Sequence, residues 1–178
     1  MNHDAKGRPS VDERDSEYWT RVEEATELLQ ENRYPEALLE LRNVIKEQPN
    51  NPYGYYYLGV AFFETKNMAA ARDAFRAALK LQPNYLGARV SLSNTLRILG
   101  ETREALAQAK EALRRFPKDG DAMYAAGMAS AAMGQRGAAK KQLEGFLDDK
   151  PELEMANEVR QILEQLGLGP EGEPFEVE

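Results

Sequence analysis

The sequence predicts an all-α chain of stacked helix pairs, on three observations. Prolines recur at a fixed interval of 34 residues, at Pro49, Pro83, Pro117 and Pro151. In the register they set, two columns hold small residues: Ala25, Gly59, Ser93 and Gly127 in one, Ala37, Ala71, Ala105 and Ala139 in the other. Larger apolar residues dominate the neighbouring columns, with Leu41, Phe75, Ala109 and Leu143 in one, Val44, Ala78, Ala112 and Phe146 in the next, and Leu28, Phe62, Leu96 and Ser130 in a third. A 34-residue unit is long enough for two short antiparallel helices and their turns, and a proline at its end stops the second helix by removing an N–H and crowding the preceding turn. Small side chains let the two helices approach where ridges meet grooves, and the large columns are the candidate core.

Taken in order, residues 1–15 are polar and charged and are expected to form a flexible tail, with a helical repeat domain following over 16–166. Four units occupy 18–51, 52–85, 86–119 and 120–153. In each, a first helix runs to a turn marked by Asn32-Arg33, Lys66-Asn67, Gly100 or Gly134, and an alanine-rich second helix then runs to the proline. Pro35 falls early in a second helix, where its missing N–H costs little. After Pro151, Leu153, Ala156, Val159, Ile162, Leu163 and Leu166 recur at three to four residues, while Glu154, Glu158, Gln161, Glu164 and Gln165 form the opposite face. This predicts a capping helix over about 153–166, with Gly167 suited to its end. Residues 167–178 combine Gly, Pro and Glu and are expected to be a flexible acidic tail.

Tyr55, Leu58, Gly59, Phe62, Ala71, Phe75, Ala78 and Pro83 follow one another in the order and spacing of the tetratricopeptide repeat, and the chain resembles that family over about three quarters of its length. The first and fourth units depart most from the pattern, with Arg21, Glu24 and Ser130 where bulkier or apolar residues are usual; Arg89 is a further departure in the third. The resemblance implies a right-handed superhelical solenoid of four helix pairs plus the capping helix. It also implies a concave surface lined by the first helix of each pair.

Composition narrows the function. The 178 residues carry a formal net charge of -7, which disfavours nonspecific attraction to nucleic acid or anionic membrane. No stretch approaches the about 18 continuous apolar residues of a membrane span, and the N-terminus has no apolar core of a signal peptide, so a cytoplasmic location is expected. Cysteine is absent, which excludes disulfides and thiolate chemistry, and the single histidine is His3. No constellation of nucleophile and base, no metal-ligand cluster and no phosphate-binding glycine loop is present, so the chain reads as non-catalytic, without metal or cofactor. The Lys110, Arg114, Arg115 and Lys118 cluster reads as a solvated face.

On the concave positions that the resemblance implies, the chain places Trp19, Val22, Leu29, Tyr53, Tyr56, Val60, Phe63, Val90, Asn94, Arg97, Tyr124 and Met128. With other columns filling the core, this is a second apolar face, and a contiguous exposed apolar patch marks a binding site. The expected ligand is an extended or helical peptide of a partner protein, anchored by the aromatic residues; Asn94 would bond its backbone and Arg97 an acidic side chain. Chaperone-binding members of the family grip acidic C-termini with a clamp of Lys, Asn and Arg. Val22, Thr26, Tyr57, Gly87 and Ser91 stand at its positions, so that clamp is not expected. The chain's own Phe175 and Val177 alternate with acids and resemble a groove ligand. A chaperone of secretion substrates and a self-assembling structural repeat are the competing readings.

Overall fold

The computed structural model describes residues 11–167, and all of its regular structure there is helical. The helices are α1 (Val11–Gln30), α2 (Tyr34–Glu47), α3 (Pro52–Glu64), α4 (Met68–Leu81), α5 (Leu86–Ile98), α6 (Thr102–Arg115), α7 (Gly120–Ala132), α8 (Arg136–Asp148) and α9 (Leu153–Gln165). His3, Phe175, Val177 and most of both expected tails lie outside the described residues. The start of α1 differs from the expected tail boundary, because residues 11–15 are already helical. Asp15 there is not idle: the Tyr53 hydroxyl of α3 donates to its Oδ1 over 2.8 Å.

Each helix-helix turn is made the same way. Asn32, Lys66, Gly100 and Gly134 have φ of 59°, 63°, 78° and 69°, so one left-handed residue ends every first helix. Around each, the following N–H reaches back to the last turn: Arg33 to Leu28, Asn67 to Phe62, Glu101 to Leu96 and Gln135 to Ser130, at 2.8–2.9 Å. This satisfies carbonyls that a helix end leaves orphaned. The prolines act at the other end. Gln48, Gln82 and Phe116, each preceding a proline, have φ of -126°, -132° and -129° with ψ of 73°, 86° and 70°, outside the helical region that a following proline disfavours. At the fourth proline the chain instead turns through Lys150 at φ 56°.

The chain forms two compact units, with the boundary inside α5 between Thr95 and Leu96. In the first, α3 packs on α1, α2 and α4; in the second, α7 packs on α6 and α8, and α8 on α9. The cores follow the columns. Ala37, Ala71, Ala105 and Ala139 are fully buried, as are Leu41, Ala109, Leu143, Val44, Ala78 and Ala112. Closeness at the small column is quantifiable: a Cβ on Gly59 would lie 2.5 Å from Phe75 Cε1, and one on Gly127 would lie 2.6 Å from Leu143 Cδ2. A cluster of Leu143, Phe146, Val159 and Leu163 joins α8 to α9. Leu153, expected on the apolar face of α9, is instead 73% exposed, because it is the first residue of the helix and projects before the packed turns begin.

Candidate functional site

A concavity of about 470 Å³ opens in the first unit, lined by Trp19, Thr26, Leu29 and Gln30 of α1, Asn32 and Tyr34 of the turn into α2, and Tyr57, Val60 and Glu64 of α3. The two walls arise from helical spacing: residues 19, 26, 29 and 30 share one face of α1, and 57, 60 and 64 one face of α3. Three of the residues expected from the sequence, Trp19, Leu29 and Val60, come together here. Trp19, 44% exposed, is the member of the lining that counts among the exposed large apolar side chains of the described residues. Tyr57, Asn32 and Tyr34 were not among the expected lining. The Tyr34 hydroxyl donates to Asn32 Oδ1 over 2.6 Å, which fixes one end of the concavity.

Beside this opening lies a connected set of rings. Trp19 meets Tyr53 edge-on with centroids 5.6 Å apart and Tyr57 at 6.1 Å; Tyr53 meets Tyr85 at 5.5 Å; Tyr56 meets Tyr57, Phe75 and Tyr85 at 5.0, 5.9 and 4.7 Å. Edge-to-face and tilted pairs at these distances are attractive beyond their buried area. Burial, with the Asp15 bond second, pushes the Tyr53 phenol up to about 12. Burial followed by the neighbouring Tyr56 raises Tyr57 as well, and the same two causes lead at Tyr85, which is raised further still.

The ring contacts correct part of the expected groove. Val22 is fully buried, one turn before Ala25 on the same stripe of α1, and belongs to the core. Residues at its place in later units lean the same way: Tyr56 packs on Phe75, and in the second unit Tyr124 packs on Phe146 with centroids 5.5 Å apart. Met128 also rests against the α8–α9 cluster. Tyr53, Phe63, Val90, Asn94 and Arg97 are half-buried. Phe63 has the Lys66 ammonium 6.0 Å from its ring centre, and the Asn94 Oδ1 and Arg97 Nε atoms are enclosed without a hydrogen-bond partner.

A second concavity, of about 390 Å³, lies on the α1–α2 pair among Glu24, Glu27, Leu28, Glu31, Arg33, Glu36, Leu39, Glu40 and Asn43. Arg33 is held there by Glu31 at 2.9 Å and by Glu36. Among the described residues no three His, Cys, Asp or Glu side chains are grouped to hold a metal ion, and no helix is long and apolar enough to cross a membrane.

Residues 22–85 and 92–139 match the family model described as tetratricopeptide repeat. Superkiller complex protein 3 of Homo sapiens is 31% identical over 75 residues, 42% of this chain but 5% of that protein, so the chain spans a small part of that relative. Among solved structures, a thermophilic repeat protein of Thermus thermophilus is 24% identical with a TM-score of 0.68, over 85% of this chain and 81% of the other. PilW, a type IV pilus biogenesis factor, is 22% identical with a TM-score of 0.75, over 85% and 70%. At these identities the two structures speak to the fold.

Proposed function

Because the chain belongs to the tetratricopeptide repeat family, we propose that it is a non-catalytic adaptor that binds a segment of a partner protein between α1 and α3. One observation carries this reading: a concavity of about 470 Å³ with exposed Trp19 at its rim and Leu29, Tyr57 and Val60 in its walls. Its size is within the range of sites that bind small ligands or a few side chains, and an exposed apolar face of this kind is costly unless it is used. The ring set beside it is preformed, so little ordering entropy is lost when a ligand docks. Tyr53 and Tyr56 serve as the rigid wall behind the site, because their faces pack on one another's neighbours, Tyr85 and Phe75.

The test is an affinity capture with the full chain as bait, comparing wild type with the double variant Leu29→Gln/Val60→Thr. Circular dichroism of the variant should match wild type, since both positions are only partly buried. Partners of the concavity should be lost or weakened about tenfold or more, the cost of disturbing a central apolar anchor. Full retention of every partner by a folded variant would move the functional surface elsewhere.

A further inference from the structure

We infer that the concavity between α1 and α3 selects a peptide segment in which apolar side chains are flanked by lysine or arginine, and rejects acidic ones. The inference rests on the binding reading above and adds the chemistry of the occupant.

Among the described residues of the lining, the one charged side chain is Glu64, which is exposed and has no hydrogen-bond or ion-pair partner there. Glu23 adds a second free carboxylate on the same face of α1, four residues after Trp19 and three before Thr26. Three of the six cations of residues 11–67 are engaged elsewhere. Arg21 is bonded to Glu40 at 2.6 Å and to Glu47 at 2.9 Å, Arg33 to Glu31 and Glu36, and Lys66 sits over Phe63. Over residues 11–67 there are twelve Asp and Glu against six Lys and Arg, whereas over 68–167 there are thirteen against fifteen. The negative field is therefore concentrated on the segment that builds the concavity. A low-dielectric apolar wall beside unpaired carboxylates focuses that field, so a cation flanking an apolar anchor is attracted and a carboxylate in its place is repelled.

The chain contains a single tryptophan, Trp19, and it lines the site, so its emission reports occupancy directly. The probes are three blocked, tryptophan-free synthetic nonapeptides, each carrying alternating leucine and phenylalanine, with lysine, serine or glutamate in the intervening places. The lysine peptide should bind about tenfold more tightly than the serine peptide, roughly threefold for each exposed carboxylate, and the glutamate peptide should bind most weakly. The preference should vanish in Glu23→Gln/Glu64→Gln and shrink in 0.5 M NaCl, about the concentration at which surface charges are screened. It should persist in Glu24→Gln, which removes a carboxylate from the other face of α1. Equal binding of the lysine and serine peptides would overturn the charge selection while leaving the groove reading intact. An equal loss in Glu24→Gln would assign the preference to net charge and overturn the site. If none of the peptides changes Trp19 emission or binds by calorimetry, both readings fall.

Discussion

At the scale of single residues, the same backbone position is asked for a left-handed conformation four times and is filled by Asn32, Lys66, Gly100 and Gly134. For an L side chain with a Cβ that conformation costs about 1 kcal/mol or more, and for glycine it does not. Gly134 gives the clean measurement, since a Cβ on it would meet nothing within 4 Å. Gly134→Ala should therefore lose about 1 kcal/mol in urea unfolding with an unchanged slope, from backbone strain alone. Lys66→Gly should move the other way by about 0.5 kcal/mol, less than the full strain because the ammonium–Phe63 contact goes with the side chain. A neutral Gly134→Ala would mean that the turn can reach another conformation at no cost, contrary to its two backbone bonds, from Gly134 to Ala131 and from Gln135 to Ser130, both 2.9 Å.

At the scale of elements, each helix is held by the stripe it buries, and α9 shows the contrast within 13 residues. Val159 and Leu163 are 0% and 4% exposed against Leu143 and Phe146, while Leu153 at the start of the same helix is 73% exposed. Leu163→Ala should cost about 2–3 kcal/mol by the loss of transfer energy and the cavity left behind. Leu153→Ala should stay within about 0.5 kcal/mol, which a parallel urea titration would check. The helix pairs were legible because a 34-residue repeat averages over local noise: four prolines and four alanines in register outweigh any single propensity. The concavity was legible only in part. The columns put Trp19, Leu29 and Val60 on the face that lines it, whereas Val22 from the same set of columns is buried, since a column at the border of core and groove is decided by packing and not by spacing. Tyr57 and Tyr85 escape because ring contacts join residues 38 or 29 positions apart, which no single helical face records. An unusual run of Tyr55, Tyr56 and Tyr57 was the signal available for them.

At the scale of the whole molecule, the prediction concerns how the first unit responds to alkali, and it follows from the ring set that links α1, α3 and the residue before α5. Burial disfavours the charged phenolate at Tyr53, Tyr57 and Tyr85, raising Tyr53 from the ordinary 10 to about 12 and Tyr85 beyond it. In the folded state these protons are retained to higher pH than in the unfolded chain. Between pH 10 and about 12 the unfolded state thus binds fewer protons, and stability must fall as pH rises. Below pH 10 both states hold the protons and the contribution is fully present. Folding stability measured by urea should accordingly be flat in these groups up to about pH 10 and decline above it. The tyrosinate absorbance, read at about 295 nm, should rise for the rings of this set together with the loss of helicity, while exposed tyrosines titrate earlier. Tyr53→Phe keeps the edge contacts to Trp19 and Tyr85 but removes both the titrating group and the bond to Asp15. That variant should be less stable near neutral pH, by about 1 kcal/mol for the loss of an exposed hydrogen bond, yet lose less of its remaining stability between about pH 10 and pH 12. A decline as steep as that of wild type would place the alkaline sensitivity outside Tyr53, on Tyr57 and Tyr85, and the same titration of Tyr85→Phe would show it.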